Sequence, residues 1–195
     1  MGAYKNASVT STAITGAVAG TGDLTINGVD VKASVSDAVS TTAATGSAKA
    51  VATAINESGT GVTATATNVV AGTDDSGAGG TETADIDING VTISLTTAAA
   101  GADATTIAQI NAVSGSTGVI ASLGAGATDG VILTASDGRN IVVDNIANAT
   151  NGGVYADFGL ATATTRGTVT LSDDTDILVG DTALGFTAAT TTAAT

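Results

Sequence analysis

The side chains whose clustering could do chemistry in this sequence are carboxylates: Asp74 with Asp75, and Asp173, Asp174 and Asp176. Two carboxylates facing a cleft can divide general acid and base roles, and several oxygens converging from one turn can hold Ca²⁺. Neither pattern is completed. No spacing selects an opposed pair, and the acidic turn lacks both the order of an EF-hand loop and the Gly-rich nonapeptide of calcium-binding repeats. There is no His and no Cys in 195 residues, which removes the usual general base, the thiol nucleophile and most zinc ligands. Gly77, Gly79 and Gly80 are not followed by the Lys-Ser/Thr and helix start of a phosphate loop. Asn6-Ala7-Ser8, Asn56-Glu57-Ser58 and Asn148-Ala149-Thr150 fit the N-glycosylation triplet, a short pattern that recurs easily in a chain rich in Asn and Thr. No catalytic, cofactor-binding or metal-binding residue is therefore assigned and no cofactor is expected. The acidic clusters read as solvated turns, and the chain is expected not to be an enzyme.

Charge and composition narrow the partners. A net charge of -13 with only 5 Lys+Arg repels phosphates, so neither nucleic acid nor an anionic membrane is an expected partner. No apolar run approaches the roughly 20 residues of a membrane-spanning helix. Hydrophobic residues make up 43% of the chain but aromatics only 2%, so any core must be built from Ala, Val, Ile and Leu. Such cores are thin and favour small β-rich units with short helices. The absence of Pro spares folding the slow cis/trans steps that X-Pro bonds introduce. Met1-Gly2-Ala3 and the Thr/Ala-rich end read as the ends of an internal segment, with Phe186–Thr195 resembling a severed linker.

The elements that would position these residues occur twice. DLTINGVDVKASV begins at Asp23 and DIDINGVTISLTT at Asp85. In each, Asn-Gly separates two alternating apolar runs, the strongest short hairpin signal. Leu24 and Ile26 then oppose Val31 and Val29, and Ile86 and Ile88 are followed by Val91, Ile93 and Leu95. A helix should cover each apolar face. The first carries Ala48, Val51, Ala52 and Ile55, with Ser47 as N-cap and Gly59 as stop; the second carries Ala104, Ile107, Ala108 and Ile110, with Gly115 as stop. Each helix ends near an Ile-Asn pair and is followed by a Gly-Val strand: Val62, Ala64 and Ala66, then Val119, Ala121 and Leu123.

The second copy goes on to a predicted hairpin, Val131 to Ala135 and Ile141 to Val143 about an Asp137-Gly138 turn. The first copy runs instead into a Gly- and Asp-rich linker. Its missing strands align near the C-terminus: Ser136-Asp137 on Ser172-Asp173 places Leu133 on Val169, Ile141 on Ile177, Val142 on Leu178 and Val143 on Val179 without a gap. The expected fold class is α+β, two small β-rich units of antiparallel strands with one short helix each, the second inserted into the first. The expected domains are a discontinuous outer domain, 1–72 with 150–195, and an inserted distal domain, 73–149. Two tandem units followed by unrelated strands are the alternative. Tyr155, Phe158 and Phe186 read as core plugs between the domains.

These residues resemble the flagellin hook repeat: a strand ending in Ile-Asn-Gly, a helix containing Ile-Asn, a Gly-Val strand and a Leu-Thr-x-Ser-Asp-Gly turn. The second copy matches over most of Ile86 to Val143, and the segment from Arg166 resembles strands that close an outer flagellin domain. The resemblance implies a structural, surface-exposed, variable region of a bacterial flagellar filament subunit, extracellular and serving motility. It implies self-assembly through helical segments that this chain lacks, so this chain alone is expected to be monomeric. Hook-associated or filament-cap proteins share the repeat, and an adhesin or S-layer-like binding module is the other alternative.

Overall fold

Asn27 and Gly28, at φ 51° and 76°, and Asn89 and Gly90, at φ 50° and 79°, take the left-handed conformation that a two-residue type I′ hairpin turn requires. The computed structural model describes residues 7–72, 83–96, 104–124, 130–147, 159–180 and 183–192. In chain order the strands and helices are β1 (Ala7–Thr10), β2 (Thr25–Ile26), β3 (Val29–Asp30), α1 (Ala48–Asn56), β4 (Thr63–Ala71), β5 (Thr83–Ile88), β6 (Val91–Thr96), α2 (Ala104–Ala112), α3 (Ser114–Thr117), β7 (Ile120–Leu123), β8 (Val131–Ala135), β9 (Ile141–Ala147), β10 (Ala163–Thr165), β11 (Thr168–Asp173), β12 (Ile177–Val179) and β13 (Ala189–Thr191). Short 3-10 turns occupy Ala44–Gly46 and Ala183–Gly185. The fold is α+β and β-rich, with antiparallel sheets and few short helices.

The chain divides into two compact units: residues 1–68, 136–140 and 166–195, and residues 69–135 and 141–165. In unit 1, β11 pairs with β1 on one side and with the first part of β4 on the other, Val9 opposite Leu171 and Leu171 opposite Ala64. A second sheet runs β13-β12-β2-β3, with Ile26 opposite both Val29 and Val179. Leu24, Ile26, Val31, Val51, Ile55, Val169, Leu171, Ile177 and Val179 close its core. Ser47 starts α1 by accepting the Ala50 N–H at 3.0 Å, and Gly59 follows its end at φ 70°. Helix α1 packs on β11.

In unit 2 the sheet β10-β9-β5-β6 sets Ile86 opposite Ile93 and Ile88 opposite Val143. The last residues of β4 join β8 and β7. Helix α2 lies against β6 and β7, over a core of Ile86, Ile88, Ile93, Leu95, Ile110, Val131, Leu133, Ile141 and Val143.

The strands expected to close each copy are present, but they do not form hairpins. β8 pairs with β4 and β7 while β9 pairs with β5 and β10; β11 pairs with β1 and β4 while β12 pairs with β2 and β13. In both copies the acidic turn is a corner at which the chain leaves one sheet for another. The alternating pattern on either side of a turn fixes which faces are buried, not which strand is the partner. The second helix also differs from expectation: Ala104 and Ala108 are exposed, whereas Thr106 and Ile110 are buried and Ile107 half-buried. It ends at Ala112 rather than at Gly115; Gly115 lies inside α3, which Gly118 closes, left-handed at φ 70° with its N–H on Ser114 O. Leu123 is exposed where the alternation placed it inward. Phe186 is buried in the core of unit 1, so it is not a plug between domains; Tyr155 and Phe158 lie outside the described residues. Within the expected linker Phe186–Thr195, residues Ala189–Thr191 form an edge strand on β12.

The segments of the two units also differ from the ranges read in the sequence. Ser136–Asn140, expected in the inserted domain, belongs to unit 1. Of residues 150–165, expected in the outer domain, the described ones, 159–165, belong to unit 2, where β10 pairs with β9 and Leu160 packs in the core.

Candidate functional site

The features that recur in both copies at atomic detail are asparagine side chains. Asn27 follows Ile26 into the turn, and its backbone N–H donates to Leu178 O at 2.8 Å. Its side chain completes the pair: Oδ1 accepts the Leu178 N–H at 2.9 Å, and Nδ2 donates to Thr60 O at 3.1 Å. Asn89 repeats this with Val142 and Thr117. Its N–H reaches Val142 O at 2.9 Å, its Oδ1 accepts the Val142 N–H at 2.8 Å, and its Nδ2 donates to Thr117 O at 2.8 Å. Leu178 and Val142 are the residues matched by the ungapped alignment of the two tails, so the equivalence read in the sequence is an equivalence of hydrogen bonds.

The second asparagine of each copy ends the helix. Asn56 donates from Nδ2 to Ala64 O and accepts the Ala64 N–H at Oδ1, both at 2.8 Å. Asn111 does the same with Ala121, at 3.0 and 2.7 Å. A primary amide offers a donor and an acceptor side by side, as a strand backbone does, so it pairs with a strand residue as another strand would. A helix cannot hydrogen-bond a sheet through its own ladder, and the asparagine supplies the link. The Ile before it, Ile55 or Ile110, is fully buried and sets the rotation of the helix.

Unit 1 carries a second polar network. Ser47 and Ser40 both donate to Asp37 Oδ2 at 2.6 Å, and Ser40 Oγ accepts the Asn140 N–H at 2.9 Å. Burial alone would push the Asp37 carboxyl up, but the Ser40 and Ser47 hydroxyls and the Ser40 and Val39 amides together hold it below its usual value. Asp137 joins Lys49 at 2.8 Å and Arg139 at 2.9 Å. Burial opposes its ionisation too, yet Arg139 and Lys49 bring its pKa down to about 2. Asn140 Nδ2 reaches Thr42 O and Asn68 Nδ2 reaches Arg139 O.

These groups hold the fold together and leave little for a substrate. The Ser47 hydroxyl is committed to Asp37 and to the helix cap in a fully buried position, so Asp37 does not prepare it as a nucleophile. At the acidic turn, Asp173 Oδ1 accepts the Thr175 N–H at 3.1 Å, and that bond is the leading reason its carboxyl is more acidic than usual. Among the described residues no three His, Cys, Asp or Glu side chains gather as a metal site, and no helix is long and apolar enough to cross a membrane. The amide of Asn56, in one of the glycosylation triplets, is engaged with Ala64. Asp74, Asp75, Gly77, Gly79, Gly80, Asn6 and Asn148 lie outside the described residues.

Residues 23–75 match the family described as the flagellin hook IN motif. The match, confined to that stretch of the 195 residues, supports a flagellin-type domain there. The matched stretch contains the β2–β3 hairpin, helix α1 and strand β4, and both asparagines of the first copy. The motif supports a flagellin-related structural role in the flagellum. A search of curated proteins found no match to the chain. The Ile-Asn pairs were visible in the sequence, but the work of their side chains was not. The available signal was an Asn at the same point of the turn and of the helix in both copies.

Proposed function

We propose that the chain is a surface-exposed, non-catalytic region of a bacterial flagellar filament subunit, serving motility from outside the cell. The observation that carries this reading is the pair of IN-type units, each closed by the same asparagine contacts. Unit 1 takes strands β11 and β12 from beyond the matched stretch, as an outer domain interrupted by an insertion does. Polymerisation belongs to the flagellin family in general. We place it in helical segments outside these 195 residues, which leaves the isolated chain a monomer. Its acidic surface keeps neighbouring filaments apart by like-charge repulsion. Antibodies raised against the chain and imaged on intact flagella by electron microscopy test the proposal. Decoration along the filament is expected; decoration confined to the hook junction or filament tip assigns the chain to a hook-associated protein, and decoration of the cell body overturns a flagellar role.

A further inference from the structure

Asn27-Gly28 and Asn89-Gly90 are also the dipeptides in which an asparagine is most open to attack by its own backbone, because Gly puts no side chain in the way of the nitrogen. We propose that both are latent deamidation sites, closed by the fold and opened by unfolding, and that conversion of either impairs return to the native structure. The co-reactant is water. The Gly N attacks the Asn Cγ, the Cγ–Nδ2 bond breaks, and ammonia leaves carrying the nitrogen's proton. Water then opens the resulting succinimide to Asp or to its isomer linked through the β-carbon.

The fold opposes the first step at both sites. Cγ can approach the Gly N only if the amide rotates, and each amide is tethered at both ends: Asn27 by Leu178 N and Thr60 O, Asn89 by Val142 N and Thr117 O. Asn89 is in addition only 7% exposed, which limits access of water. The fold is equally intolerant of the product. A carboxylate oxygen in place of Nδ2 would face the carbonyl of Thr60 or Thr117, acceptor against acceptor, and at residue 89 it would be a buried charge without a donor on that side. The β-linked isomer lengthens the backbone within a two-residue turn whose register depends on its length.

The test uses the full chain, incubated in mildly alkaline buffer with and without urea and followed by peptide mapping of the mass gained when an amide NH2 becomes OH. Asn151-Gly152, the third such dipeptide, shows in urea that the chemistry runs. Conversion of Asn27 and Asn89 is expected to be at least about tenfold slower without urea than with it, the factor set by breaking two hydrogen bonds first. Equal rates at 27 and 89 in the two conditions overturn the protection. The urea-aged mixture is then diluted to refold and its protease-resistant fraction mapped. Chains converted at 27 or 89 are expected to be depleted from that fraction, and their recovery in the starting proportion overturns the second half of the proposal. Because the readout is chemical, it is independent of whether the chain is flagellar.

Discussion

At the scale of single residues, the helix asparagines make a claim that mutation can test. Asn56→Ala leaves both the N–H and the C=O of Ala64 without their side-chain partners, next to a core position that is 5% exposed. Losing such partners costs about 1–3 kcal/mol, and Asn111→Ala should cost a similar amount through Ala121. A urea midpoint unchanged in either variant would show that water replaces the amide without penalty. Asp137 supplies a pH test. Its folded-state pKa is depressed to about 2 from an ordinary value of 3.8, so the stability it contributes is present above the higher value and is lost as pH falls through the lower. Wild type should therefore lose stability between about pH 4 and pH 2, and Asp137→Asn should flatten that part of the profile. An identical acid slope in the variant would mean that other carboxylates, Asp37 among them, carry the dependence.

At the scale of elements, local chemistry was legible wherever it is decided within a few residues. Both Asn-Gly turns, the Ser47 cap and the buried face of α1 follow from pattern alone. What the sequence hid were choices between distant partners. The runs flanking Asp137-Gly138 alternate as a hairpin would, yet β8 and β9 join different sheets because each finds a partner elsewhere in the chain. The edge strands β1, β10 and β13 are short and rich in Thr and Ala, too weakly apolar to stand out from loop. Helix α2 conceals its orientation because Ala is tolerated on either face, and the buried Thr106 does not read as core. The corner is itself testable. A Cβ on Gly138 would lie 2.3 Å from the Ala66 Cβ with φ at 77°, whereas one on Gly28, at φ 76°, would meet nothing within 4 Å. Gly28→Ala should cost about 1–2 kcal/mol of left-handed strain, and Gly138→Ala clearly more, since overpacking is added. Equal thermal shifts for the two would mean that the corner moves aside freely.

At the scale of the whole molecule, the division into units bears on what can fold alone. Unit 1 is assembled from three stretches of chain, and its first and third stretches meet where β4 pairs with β11, with Thr67 directly opposite Thr168. Replacing residues 69–165 by a short Gly-Ser bridge therefore joins two antiparallel strands at neighbouring ends, a loop closure that is entropically cheap. The bridged chain keeps both sheets of unit 1, helix α1 with its Asn56 contact, and the Asn27–Leu178 pair. It loses Ser136–Asn140, and with them the partners of Lys49, Asn68 and Ser40. The expected result is a folded protein with one sharp urea transition, less stable than unit 1 in the full chain by about 1–3 kcal/mol, the range for stranded polar groups. Residues 1–68 alone should not fold, because β1 and β4 both depend on β11 and β2 depends on β12, leaving short strands with open edges. Circular dichroism and amide dispersion distinguish the outcomes. An unfolded bridged chain would mean that unit 1 depends on more of residues 69–165 than Ser136–Asn140. A folded 1–68 segment would mean that the C-terminal strands are accessory to unit 1.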